Sequence, residues 1–181
     1  MSSAQSNLEK YSAPAGELLT LMKVEGIEWV VSVPDFVQLA LHTLIEAPDS
    51  GLRSVFAANE NQAIEIASGL HFGGKRVAVM MQNQGFYNCI NSVRALGLDA
   101  RVPLFLMIGQ FGREFSTLGQ DPNSSSRNIV NRLEPMLDLL DIPHWRVEGR
   151  DDVSMLSAAY KSCQERSRPS ALLFGHYIAW S

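Results

Sequence analysis

Cysteine is scarce in this 181-residue chain. There are two, Cys89 and Cys163, neither at metal-ligand spacing, and the four histidines stand apart from one another. That argues against a disulfide framework and against a structural zinc site. Long apolar runs are absent too: none reaches membrane-spanning length, and Met1 to Lys10 is polar rather than signal-like. The expectation is a protein of a reducing cytoplasm with no membrane partner. Charge of one sign is also missing. Fifteen Lys and Arg stand against 19 Asp and Glu, a net charge of −4. The basic residues are scattered, so no nucleic-acid surface is expected. No Gly-x-Gly-x-x-Gly follows a strand, and there is no phosphate-binding Gly-x-x-x-x-Gly-Lys-Ser/Thr and no Gly-x-Ser-x-Gly elbow. A generic nucleotide-binding domain is therefore the weakest of the readings open. His42, His71, His144 and His176 are placed on helices or near the lower strands, paired with no nucleophile.

What is present is an ordinary globular composition, 46% hydrophobic and 19% charged, at a length that suits one domain with a real core. Residues 1–11 read as a polar arm and 12–181 as a single domain. Ser12 and Pro14 open a helix carrying Leu18, Leu21 and Met22, which Gly26 ends. Ile27 to Val33 is a buried strand, and Asp35 is placed as the cap of a helix over Phe36 to Ala47. A strand through Val55 and Phe56 leads to Glu60 and a helix bearing Ala63, Ile66, Ala67 and Leu70. Gly73-Gly74 breaks it before the strand Arg76 to Met81. A further helix carries Ile90, Val93 and Leu96, and Pro103 to Gly109 is the most apolar strand. The segment from 110 to about 127 has no periodicity; a helix with Leu133, Met136 and Leu137, a short strand from His144, a helix capped by Asp151 and a strand from Ala171 complete the chain. Apolar strands alternating with helices predict a three-layer α/β/α fold around a mainly parallel sheet of about six strands.

Polar groups recur where these strands end: Asp35, then Glu60, then Gln82-Asn83-Gln84, then Gln110, Arg113 and Glu114. The carboxyl ends of parallel strands form one rim, which is where ligands bind in such sheets. Each group also has a plain reading. Asp35 is an ordinary helix cap, Glu60 a helix-start residue satisfied by the dipole, Gln82 to Gly85 a turn, and Arg113 a solvated charge. The long segment after the fourth strand suits a piece that orders over a substrate, with Arg113 as the fork for a carboxylate or sulfonate.

Val33-Pro34-Asp35-Phe36, Asn59-Glu60-Asn61-Gln62-Ala63, Gly73-Gly74-Lys75 and Met81-Gln82-Asn83-Gln84-Gly85-Phe86-Tyr87-Asn88 occur in an order and spacing that resembles the pyrimidine-binding domain of thiamine-diphosphate-dependent decarboxylases. Phosphonopyruvate decarboxylases and the alpha subunit of sulfopyruvate decarboxylase are the most similar members, and the likeness is densest over 27–113. It implies a carbon–carbon lyase acting on sulfopyruvate, phosphonopyruvate or a related 3-substituted pyruvate. It also implies catalytic Glu60, bonded to the cofactor's aminopyrimidine, and catalytic Asp35 in later proton transfers. Pro34, Gln84 and Asn88 would join Glu60 around the cofactor, with Gln82, Asn83, Phe86 and Arg113 toward the substrate. Gln84 to Asn88 departs from the family's smaller Ser-Gly-Leu-Gly-Asn, so Phe86 and Tyr87 are expected to narrow the pocket or redirect it. The family's Gly-Asp-Gly diphosphate motif is absent. The resemblance therefore implies a beta subunit that carries the diphosphate and Mg²⁺ site, and a homo- and hetero-oligomeric assembly. A non-catalytic module of the same fold, binding another ligand or regulating a partner, is the alternative, favoured by Phe86 and Tyr87.

Overall fold

In the computed structural model, residues 10–181 are described; the greater part of the expected polar arm, residues 1–9, lies outside them. Six strands form one all-parallel sheet: β1 (Trp29–Ser32), β2 (Arg53–Phe56), β3 (Val77–Gln82), β4 (Phe105–Gly109), β5 (His144–Val147) and β6 (Ser170–Phe174). Their order across the sheet is β2-β1-β3-β4-β6-β5. The chain leaves β1 for β2 on one side and returns as β3 on the other, so the order reverses between β1 and β3.

The central strands are buried on both faces, which is why they read as continuous apolar runs. Val30, Ala78, Met80, Phe105, Met107, Leu172 and Phe174 point to one face. There they meet α1 (Ala15–Val24), α2 (Leu39–Glu46) and the last helix, α8 (Met155–Arg166). Val31, Val79, Met81, Leu106, Ile108, Ala171 and Leu173 point to the other. That face is covered by α3 (Glu60–Phe72), by α4 (Asn83–Asn88) with α5 (Ile90–Ser92), and by α7 (Leu133–Leu139), which follows the short α6 (Asn128–Asn131). The period-2 geometry of the strand thus divides one apolar run between two cores. Both cysteines are free and buried, and burial pushes each thiol up to about 12. No helix among the described residues is long and apolar enough to cross a membrane.

Several local expectations change. The N-cap position of α1 is Pro14, and Ser12 Oγ lies 3.2 Å from His176 Nδ1 instead. α2 begins at Leu39 rather than at Phe36. Asp35 therefore closes an Asx turn, accepting the Val37 N–H at 2.9 Å. The final helix starts at Met155 with Ser154 at its cap position, after a short 3₁₀ turn over Arg150–Asp152, so Asp151 does not cap it. Gln82 to Gly85 is no open turn either: the helix follows the strand directly at Asn83.

Candidate active site

The sheet order reverses between β1 and β3, the position where open α/β sheets bind ligands, and the groups that follow β1, β2 and β3 form two clusters at the carboxyl ends of the strands. Glu60 opens α3, but other residues cap the helix. Asn59 Oδ1 accepts the Gln62 N–H at 3.0 Å, and Gln62 Oε1 accepts the Ala58 N–H at 2.7 Å. The Glu60 carboxylate is thereby left free of backbone duty. It lies against Gly85, where a Cβ would collide with its Cγ and Oε1. Its Oε2 accepts a hydrogen bond from Asn88 Nδ2 at 3.1 Å, and Oε1 has no hydrogen-bond partner among the described residues. Asn61 braces the arrangement, donating to the Asn88 carbonyl and accepting from Ser92 Oγ at 2.7 Å.

Asp35 forms the second cluster. It is 1% exposed and rests on the end of β4: a Cβ at Gly109 would collide with Oδ2. Gln38 Nε2 donates to Oδ2 at 2.8 Å and to the carbonyls of Met81 and Met107 at 3.2 and 3.1 Å. One amide thus fixes the acid across the ends of two strands. Burial pushes the Asp35 carboxyl up to about 6, against the opposing pull of Gln38, the Val37 N–H and Gln82.

Other expected residues fall elsewhere. Pro34 and Gln84 are exposed on the rim, and Gln82 is half-buried beside Asp35. Asn83 is fully buried and acts as a staple, its Nδ2 donating to the carbonyls of Phe111 and Ile129 at 3.0 and 2.9 Å. Phe86, expected to narrow the pocket, is fully buried in the core under α4. Tyr87 turns its hydroxyl to the Ile129 carbonyl. Both are corrections with one cause: a helix starting at Asn83 turns these side chains inward, where a loop would have left them facing the rim. Arg113 is not solvated. Its guanidinium pairs with Glu148 Oε1 at 2.7 Å and donates to Gln110 Oε1 and to the carbonyls of Thr117 and Gln120. His176, expected near a helix or a lower strand, lies on the same carboxyl rim, two residues beyond β6. Its place after a strand of a parallel sheet was the available signal. Gln38 and Glu148 gave none, since their roles depend on strand neighbours distant in sequence.

Among the described residues no group of three or more His, Cys, Asp or Glu is suited to hold a metal ion. No family model matches the chain. It is 29% identical over 155 residues to sulfopyruvate decarboxylase subunit alpha of Methanocaldococcus jannaschii, covering 84% of this chain and 88% of that protein. The subunit of the same name from Methanothermobacter thermautotrophicus is 32% identical over 95 residues, 51% of this chain and 56% of the relative. That from Methanococcus maripaludis is 24% identical over 146 residues, 80% of each. A carboxylate freed from capping at a sheet crevice thus occurs in a chain that is similar, over most of its length, to alpha subunits of sulfopyruvate decarboxylase.

Proposed function

We propose that this chain is the pyrimidine-binding, alpha-type subunit of a two-subunit thiamine-diphosphate-dependent decarboxylase. Its substrate is sulfopyruvate, phosphonopyruvate or a related 3-substituted 2-oxo acid. The similarity to relatives named as decarboxylase alpha subunits supports this, since an alpha subunit implies a second kind of chain. The observation that carries the reading is the Glu60 carboxylate, half-buried against Gly85 and oriented by Asn88.

The residues present fit one end of the cofactor. An aminopyrimidine ring calls for a carboxyl beside its ring nitrogen, and Glu60 offers Oε1 for that bond. Pro34, Gln84 and Asn88 edge the same crevice. The diphosphate and its Mg²⁺ fall to the beta subunit, because this chain has no Gly-Asp-Gly motif. When bound, thiamine diphosphate supplies the electron sink for breaking the carbon–carbon bond. Glu60 holds a proton at the ring nitrogen. Asp35, with its pKa near 6, can give or take a proton at neutral pH. Gln38 fixes that acid, and Gln82 stands beside it.

The rim also suits cover by another chain. Phe36, Phe56 and Phe115 are 63%, 51% and 63% exposed there, an apolar display that a lone chain in water would rarely keep. The non-catalytic alternative rested on Phe86 and Tyr87, and the inward packing of both removes that support.

Glu60→Gln tests the reading. The variant, reconstituted with the beta subunit, should assemble and melt as the parent does, while decarboxylation falls by about 10²–10⁴-fold. Exchange of the cofactor's C2 proton should slow in parallel. Exchange at the parental rate would overturn the assignment.

A further inference from the structure

Gln38 stands at the N-cap position of α2 and is 0% exposed. Its Nε2 has three acceptors within hydrogen-bond distance: Asp35 Oδ2 at 2.8 Å, the Met107 carbonyl at 3.1 Å and the Met81 carbonyl at 3.2 Å. An amide nitrogen carries two hydrogens, so three acceptors share them. The amide oxygen, Oε1, is buried and has no hydrogen-bond partner among the described residues. The amide cannot sit the other way round, because an oxygen would then face two carbonyl oxygens and a carboxyl oxygen.

For stability alone this is a poor arrangement. A buried acceptor without a partner is destabilising, and an apolar side chain of the same length would fill the space without one. What the amide provides is a donor on Asp35 whose own place does not depend on the charge of the acid. The Met81 and Met107 carbonyls, on β3 and β4, hold Nε2 whether Asp35 is ionised or neutral. The bond to Oδ2 is the stronger one when the carboxyl is charged. Gln38 therefore favours the ionised acid without having to move.

The groups that bear on Asp35 are neutral: Gln38, the Val37 N–H, Gln82 and the Gly109 N–H. Gln38 pulls hardest against the desolvation that raises the carboxyl. His42, one turn further along α2, is held down at about 4 by burial, so it is uncharged while Asp35 titrates. Close packing settles the rest. Oδ2 rests against Gly109, where a Cβ would collide, and Oδ1 accepts the Val37 N–H at 2.9 Å. We propose that Gln38 is a positioning residue: anchored on the Met81 and Met107 carbonyls, its amide holds the Asp35 carboxyl in place and governs how readily that acid gives up and retakes its proton during the reaction. This role rests on the decarboxylase reading, in which Asp35 transfers protons.

The test compares the parent with Gln38→Met, which keeps the length of the side chain and loses the donor. Carbon-detected NMR of the full chain alone follows the Asp35 carboxyl, and pH–rate profiles follow the complex reconstituted with the beta subunit. The Asp35 midpoint should rise from about 6 to at least about 7. The limb of the kcat profile nearest pH 6 should move up with it, while KM stays within about twofold of the parent, since Gln38 touches no substrate. Gln38→Glu keeps the volume and sets a second acid beside the first; it should also raise the midpoint, and it serves if the apolar variant folds poorly. A midpoint that stays near 6 in both variants overturns the inference and leaves the decarboxylase reading intact, because that reading stands on Glu60. A moved midpoint with an unmoved profile overturns it as well, by separating Asp35 from the reaction. A parent complex that does not decarboxylate would overturn the reading itself, and this role with it.

Discussion

Asp35 shows how much a single carboxyl depends on where the main chain leaves room. It sits over Gly109, buried, with donors on both oxygens. Desolvation outweighs those donors and places its pKa at about 6 against 3.8 for the free side chain. The sign of the effect on stability follows. Between pH 3.8 and 6 the folded chain holds a proton that the unfolded chain has lost, so this residue's contribution falls as pH rises through that window. Carbon-detected NMR of the Asp35 carboxyl should show a midpoint near pH 6. Gly109→Ala should move it, since a methyl there displaces the acid from its seat. A midpoint near 4 would show that the carboxyl is solvated.

The segment from Gln110 to Arg127 has only two short 3₁₀ turns, Phe115–Thr117 and Pro122–Ser124, and is pinned by two side chains. Arg113 ties Gln110, Thr117, Gln120 and Glu148 together. Glu114 ties it to Ser125 and Ser126, and the Ser125 bond leads in holding that carboxyl down at about 2. That second tie is in force above the ordinary Glu range and is lost only as pH falls through about 2. Arg113→Ala leaves Glu148 half-buried without its cation and should destabilise the fold by about 3–5 kcal/mol in urea denaturation, with faster proteolysis between 113 and 127. A change within about 0.5 kcal/mol, the ordinary range for a surface substitution, would return Arg113 to the solvent. Sequence spacing could place this segment after β4 and note its length. It could not assign Arg113 to Glu148, because β5 precedes β6 in the chain yet lies outside it in the sheet.

At the scale of the molecule, the layers were legible because central parallel strands must be apolar on both faces, as Leu104 to Ile108 already declare. Glu60 was legible as a helix-start carboxylate at a strand end. The inward turn of Phe86, the Asx turn at Asp35 and the rim position of His176 were not, since each is decided by a helix boundary or by a strand neighbour far away in sequence. The pH response of the whole fold is also a product of distant parts. Burial holds His42, on α2, down at about 4. The unfolded chain then takes up a proton first as pH falls, and stability is lost from about pH 6.5 down to 4, on the order of 3 kcal/mol. Asp35 works in the opposite direction over nearly the same interval. The parent chain should therefore melt at an almost constant temperature between pH 4 and 6. His42→Gln should unmask a melting temperature that rises on acidification; a flat profile in that variant would mean that Asp35 does not titrate there.

The position of β6 has a consequence for synthesis. Among the described residues β5 pairs with β6 and with no other strand, and β6 alone joins it to β4. On the ribosome, residues 144–147 leave the exit tunnel with no strand to dock on until 170–174 follow them. Four strands can assemble beforehand around β1 and β3, whose pairings are closer in sequence. The half of the sheet that carries Glu148 and His176 must wait, and the pairing of Arg113 with Glu148 is among the last contacts of the protein to form.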